Sequence, residues 1–228
     1  MPSDLGAQAR AFAVSLKDLL NGTVAHGIRL GCAESAPGCF IVGRGITKNQ
    51  LVVRDLVPLT LDQKSADIYL LVTNMLVADG SGDGWLTVDR ATYTLQASST
   101  PGEDVLFSYD YARNVNNGYP EAHLHVYSQL SEPFSQVMKA ADRDPDPQDS
   151  LHFAVGGAHN EDGGIHYRPI LEDVIEMLIQ EQLVRARPGW RAVVDAGRKQ
   201  FYETQLRAEI RRNPDIARDA VAKLDRSV

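Results

Sequence analysis

Two histidines spaced one residue apart, His123 and His125 in EAHLHVYSQL, are the strongest chemical signal in this 228-residue chain. Alternate residues of a strand share a face, so the spacing projects His123, His125 and Tyr127 together and turns Leu124 and Val126 toward the core. Five of the six histidines (His123, His125, His152, His159 and His166) fall between positions 123 and 166. By the same parity, His152 in LHFAV is expected on the face opposite Leu151 and Phe153. If the segments 122–128 and 151–156 pair, His152 meets His123 or His125 near Asp110, with Arg113 close by. An imidazole titrates near neutrality, which suits general acid–base chemistry. The same cluster suits a divalent transition metal. A solvated polar face of a half-exposed sheet accounts for these residues without any chemistry.

Other signals are weaker. DGSGDGWLTVDR (79–90) places Asp79, Ser81 and Asp83 as a calcium loop would, but Arg90 stands where the closing bidentate Glu belongs. Gly- and Asp-rich chemistry is what a hairpin turn needs, and the turn is the reading adopted. Glu172, Asp173 and Glu176 fall early in a helix, where the backbone dipole favours carboxylates. There is no Gly-x-Ser-x-Gly elbow and no Gly-rich loop joining a strand to a helix. A histidine-triad hydrolase would need a third His where Tyr127 stands.

The elements that must position these residues follow from periodicity. Residues 4–20 read as an amphipathic helix, with Asn21-Gly22 as its stop. Residues 27–43 read as two short strands around a turn, and 50–59 as another strand. IYLLVTNMLVADG (68–80) and WLTVDRATYTLQA (85–97) form the strongest strand pair, and VLFSYDYARN (105–114) continues an antiparallel meander. DRDPDPQDS (142–150) reads as an exposed loop, and LHFAVGG (151–157) as one more strand. Pro169, Pro188 and Pro214 then open three helices. The fold class is α+β: a largely antiparallel sheet with an N-terminal helix and a helical C-terminal third. Residues 1–184 form the domain, and 185–228 a helical extension packed on it. The apolar stripes of that extension (Trp190, Val193, Val194, Phe201, Leu206 and Ile210, then Ile216, Ala220, Val221 and Leu224) are expected to bury against the sheet. A dimer seam is the alternative.

The net charge of −7 is uneven. Residues 185–228 carry 11 Lys/Arg against 6 Asp/Glu, a net of +5, and the remainder carries −12. A basic segment on an acidic body either docks on that body or meets nucleic acid or an acidic partner. No stretch approaches the roughly 18 apolar residues of a membrane span. The first helix lacks the features of a secretion signal, so a cytoplasmic location is expected. Cys32 and Cys39 flank a Pro-Gly turn and are expected to stay reduced and packed.

The order FSYDYARN, PEAHLHVYS, LHFAVGG, RPILEDVIEMLIQE resembles the TumE-like toxins of bacterial toxin–antitoxin pairs over residues 66–184. The matching positions are Tyr109, Asp110, Arg113 and Asn114, then His123 and His125, then Pro169 and Leu171 to Val174. Members of that family are shorter, and their paired histidines are adjacent where this chain has His-Leu-His. The resemblance implies a cytoplasmic growth inhibitor, acting through RNA and neutralised by an antitoxin-like partner. The candidate catalytic set is therefore Asp110, Arg113, His123, His125, Tyr127 and His152. On this reading the imidazoles exchange protons, Arg113 offsets phosphate charge, and neither cofactor nor resident metal is assigned. A non-enzymatic binding or assembly protein, or a homodimer, using the C-terminal helices is the alternative. A metal-dependent enzyme built on the same imidazoles is the third reading.

Overall fold

The computed structural model describes residues 4–61, 66–80, 84–113, 121–127, 151–154 and 168–225, with the backbone alone for 151–154 and 224–225. The 142–150 loop, Asn114, His159, His166, and Ser81 and Asp83 of the hairpin turn lie outside these residues.

Helix α1 (Leu5–Thr23) begins where Asp4 accepts a hydrogen bond from the Ala7 amide at 3.0 Å, supplying one orphan first-turn donor with a partner. Ala9, Ala13, Leu16 and Leu20 then recur at helical spacing and are buried. Asn21 closes the following turn by bonding both backbone groups of Ile28, at 2.8 and 2.9 Å.

Eight strands follow: β1 (Gly31–Ala36), β2 (Cys39–Gly43), β3 (Val57–Pro58), β4 (Tyr69–Ala78), β5 (Leu86–Gln96), β6 (Val105–Ala112), β7 (Ala122–Val126) and β8 (Leu151–Ala154). They form one antiparallel sheet in the order β1-β2-β4-β5-β6-β7-β8, with β3 added on β4. The expected strand over 50–59 thus contracts to Val57–Pro58. The Arg44 guanidinium takes the Leu56 carbonyl on one side, and one further backbone bond, from Leu59 to Ile68, closes the pairing on the other. Cys32 faces Val42 and Cys39 faces Ala36 in the β1–β2 register, and both are free thiols.

The sequence closes with α2 (Leu171–Gln180), α3 (Trp190–Arg212) and α4 (Pro214–Asp225). Helices α1 and α2 cover one face of the sheet. Leu20, Val24, Leu171, Ile175 and Leu178 meet Leu70, Val72, Tyr93 and Leu95 in a single core. Helix α3 joins through its first turns only. Val194 is its one buried residue, and Arg198 clamps Asp173 at 3.0 Å and Glu176 at 2.5 Å on α2. The Arg198 hydrogen bonds and charge hold the Glu176 carboxyl below the usual range. The stripe expected to bury farther along the C-terminal helices does not do so. Leu206 and Ile210 are exposed because α3 turns Thr204, Gln205 and Ala208 inward instead, and Ile216 and Val221 of α4 are exposed as well. No helix among the described residues is long and apolar enough to cross a membrane.

Leu178, fully buried between α2 and the sheet, reports on the core. Leu178→Ala should lower unfolding stability by about 2–5 kcal/mol in a urea titration, through lost transfer energy plus a residual cavity.

Candidate functional site

Strand β6 alternates strictly: Ser108 and Asp110 point one way, while Phe107, Tyr109 and Tyr111 point the other. The aromatic side joins or packs against the core under the helices, so Ser108 and Asp110 lie on the opposite face. Register then fixes their neighbours. Thr92 of β5 lies across from Asp110, and Asp110 across from His123 of β7. One step along, Thr94 faces Ser108, Ser108 faces His125, and His125 faces His152 of β8. Two polar rows thus cross adjacent strands side by side.

These rows are hydrogen-bonded. Thr92 Oγ1 donates to Asp110 Oδ1 at 2.7 Å, and Ser108 Oγ donates to Asp110 Oδ2 at 3.0 Å. Thr94 and Ser108 share a hydroxyl–hydroxyl bond of 2.9 Å. Asp110 Oδ2 also lies 3.4 Å from His125 Nε2. The His123 and His125 rings are 4.5 Å apart at their centroids, and the Tyr127 ring stacks near His125 at 6.2 Å and 14°. Burial, then the Asp110 charge, pushes the Tyr127 phenol above its ordinary range, so it stays protonated near neutrality. One donor atom each from Asp110, His123 and His125 lies within 4.8 Å of the others. It is the one group of this kind among the described residues. The side chains are partly covered, at 15% exposed for His125 and 27% for Asp110, so a ligand can reach them.

Of the six candidate residues, the structure brings Asp110, His123, His125 and Tyr127 together and sets the backbone of His152 across from His125. It does not bring Arg113 to them. Arg113 donates to Thr87 Oγ1 at 3.1 Å and lines a cavity with Tyr111, on the helix-covered side of the sheet. The residues that sequence reasoning passed over are Thr92, Thr94 and Ser108. Their signal is the repeated polar–Tyr–polar triplet, Thr-Tyr-Thr at 92–94 and Ser-Tyr-Asp at 108–110.

The carboxylates in the first half of α2 divide. Asp173 and Glu176 pair with Arg198, whereas Glu172 turns into the cavity and sits against Gly197 of α3. A Cβ at Gly197 would overlap Glu172 Oε1, which gives a reason for a glycine inside a helix. Burial raises the Glu172 carboxyl above its ordinary value, with Arg168 opposing the shift.

No protein-family model matches the sequence, no curated protein matches it significantly, and no solved structure matches its fold significantly.

The raised Glu172 carboxyl sets a pH signature. Its ionised form is less favourable folded than unfolded, so its burden on stability appears as pH rises past the ordinary glutamate range near 4.3. Glu172→Gln should therefore raise the thermal midpoint at pH 7 and 8, and the gain should vanish near pH 4 where both side chains are neutral. Scanning calorimetry across that range checks it, and a gain that persists unchanged in acid contradicts the assignment.

Proposed function

We propose that Asp110, His123 and His125 form a divalent transition-metal centre of the two-histidine, one-carboxylate type, and that the chain is an enzyme using that centre. The observation that carries this reading is the convergence of the three donor atoms within 4.8 Å. Metal–nitrogen and metal–oxygen bonds near 2.1 Å place neighbouring donors roughly 3.0–3.4 Å apart. The 3.4 Å Asp110–His125 separation meets that spacing, and the rest requires a contraction on the order of 1 Å. The hydroxyls of Thr92 and Ser108 aim the carboxylate, the kind of outer support that metal ligands usually carry. Three protein ligands leave open positions for substrate and water. The metal would supply positive charge and an activated water.

A second reading keeps the three residues without metal, as a toxin-like acid–base pair acting on nucleic acid. The 3.4 Å contact between Asp110 and His125 supports it, with the carboxylate orienting an imidazole that transfers protons. A phosphodiester needs compensating charge, and Arg113 lies away from the cluster, which favours the metal reading. Assembly is a separate proposal, through the exposed Leu206, Ile210 and Ile216 of the C-terminal helices with a second copy or an antitoxin-like partner. A chain that scatters light as a monomer at every concentration removes the second copy.

Protein purified without a histidine tag should bind about one equivalent of zinc, manganese, cobalt or nickel, with cobalt giving visible absorption bands. His123→Ala or Asp110→Ala should abolish stoichiometric binding, and Thr92→Val should weaken it about 10–100-fold. Metal content below about a tenth of an equivalent for every ion rejects the centre. Growth arrest on induction, lost in a His123→Ala, His125→Ala variant of that metal-free protein, selects the second reading instead.

A further inference from the structure

The helix-covered side of the sheet holds a cavity of about 920 Å³, within the size range of sites for drug-sized molecules. Tyr93 and Tyr111 line it from the sheet, Phe12 and Leu16 from α1, and Phe201 from α3. From Gly197 onward, α3 turns Gln200, Thr204, Gln205 and Ala208 to this space, while Leu206 and Ile210 face out. A helix side of amides, a hydroxyl and a methyl is poor core material, and it suits the wall of a site.

The charges at one end define what the site would take. Arg113 and Arg168 both line the cavity, and neither forms an ion pair among the described residues. Of the other lining arginines, Arg212 is paired with Glu209, and Arg211 lies 5.1 Å over the Trp85 ring. Burial pushes the Tyr111 phenol above its ordinary range, and the nearby Arg113 and Arg168 charges oppose that shift. Arg168 also hydrogen-bonds the buried Tyr93 phenol and lies 5.1 Å above the Phe201 ring. The N-terminus of α2 opens at the same end. Its cap residue, Ile170, has no side-chain acceptor for the first-turn amides, and Ile170 and Leu171 both line the cavity. The positive end of the helix dipole favours an anion there, although the Asp173 amide already bonds the Ile170 carbonyl.

Acids line the cavity too. Glu209 is already paired with Arg212 at 2.7 Å, and burial favours the neutral form of Glu172, which can donate a hydrogen bond. Asp18, Asp79 and Glu121 complete the acidic part of the lining.

We propose that this cavity binds a small aromatic carboxylic acid, its carboxylate held by Arg113 and Arg168 at the start of α2 and its ring lodged against Phe12, Tyr111 and Phe201. Guanidinium is the side chain best matched to a carboxylate, through two parallel N–H donors. The aromatic lining supplies apolar area for the ring. The site is separate from the Asp110–His123–His125 centre, which lies on the other face of the sheet, and it does not depend on metal there.

Calorimetric titration of the full chain with 1-naphthylacetate and with the neutral 1-naphthylacetamide tests the assignment. The acid should bind at one saturable site, and the amide about tenfold more weakly or worse, because only the acid offers a charge-assisted pair. Arg168→Gln should bring the acid down to the affinity of the amide while leaving the amide unchanged. Ala208→Trp, which fills the cavity from α3, should abolish binding of both while the thermal unfolding remains cooperative. This second variant decides the matter if Arg168→Gln fails to fold. Equal affinity for acid and amide, no heat from either, or undiminished binding of the acid to Ala208→Trp overturns the proposal.

Discussion

The antiparallel register of β5, β6 and β7 is the constraint on which both candidate sites rest. The side-chain period of a strand is two, so fixing one cross-strand pair fixes every other pair on both faces. Once Asp110 lies across from Thr92 and His123, Ser108 must lie between Thr94 and His125. The same pairing sends Tyr93, Tyr109 and Tyr111 to the helix-covered side. The register of β5 on β4, against which the others are built, is held from the aromatic side. Tyr93 is fully buried and its hydroxyl donates to Asn74 on β4 at 3.1 Å, so a slipped strand would strand a buried polar group.

The two faces solve opposite electrostatic problems. On the polar face one carboxylate accepts hydrogen bonds from the Thr92 and Ser108 hydroxyls and lies 3.4 Å from an imidazole nitrogen of His125. On the helix side two guanidiniums stand beside aromatic rings and a carboxyl whose ionisation burial disfavours. The first arrangement presents lone pairs to a cation, and the second presents N–H groups to an anion. The acidic body and basic tail read from composition do not capture this division. It lies across the thickness of the sheet, and not along the chain.

Much of this was legible in the sequence. The His-Leu-His spacing puts both imidazoles on one face, because strand parity is local and needs no tertiary knowledge, whereas the sharing of that face by Asp110 depends on the β6–β7 register. The α+β class and the helix starts at Asp4 and Pro214 followed from capping chemistry and periodicity. Arg113 lies off the polar face because position 113 shares its parity with Tyr111 and not with Asp110. The outward stripe of α3 was not legible, since a run of Leu206 and Ile210 at helical spacing ordinarily marks a buried face. What decided it was tertiary. Val194 and the Arg198 clamp set the rotation of the helix near its start, and the side turned inward beyond them carries Gln200, Thr204 and Ala208, so Leu206 and Ile210 fall on the outer side.

That mounting makes α3 a beam with two supports. Its root is pinned at Arg198, and its tip touches down where Arg211 lies 5.1 Å over the Trp85 ring. The thirteen residues from one to the other span about 20 Å at helical rise. A pivot of about 10° at the root would then swing the tip by about 3.5 Å over that lever arm. The aperture between α3 and the sheet is therefore framed by contacts at both ends of the helix, the Arg198 clamp and the Arg211–Trp85 pair.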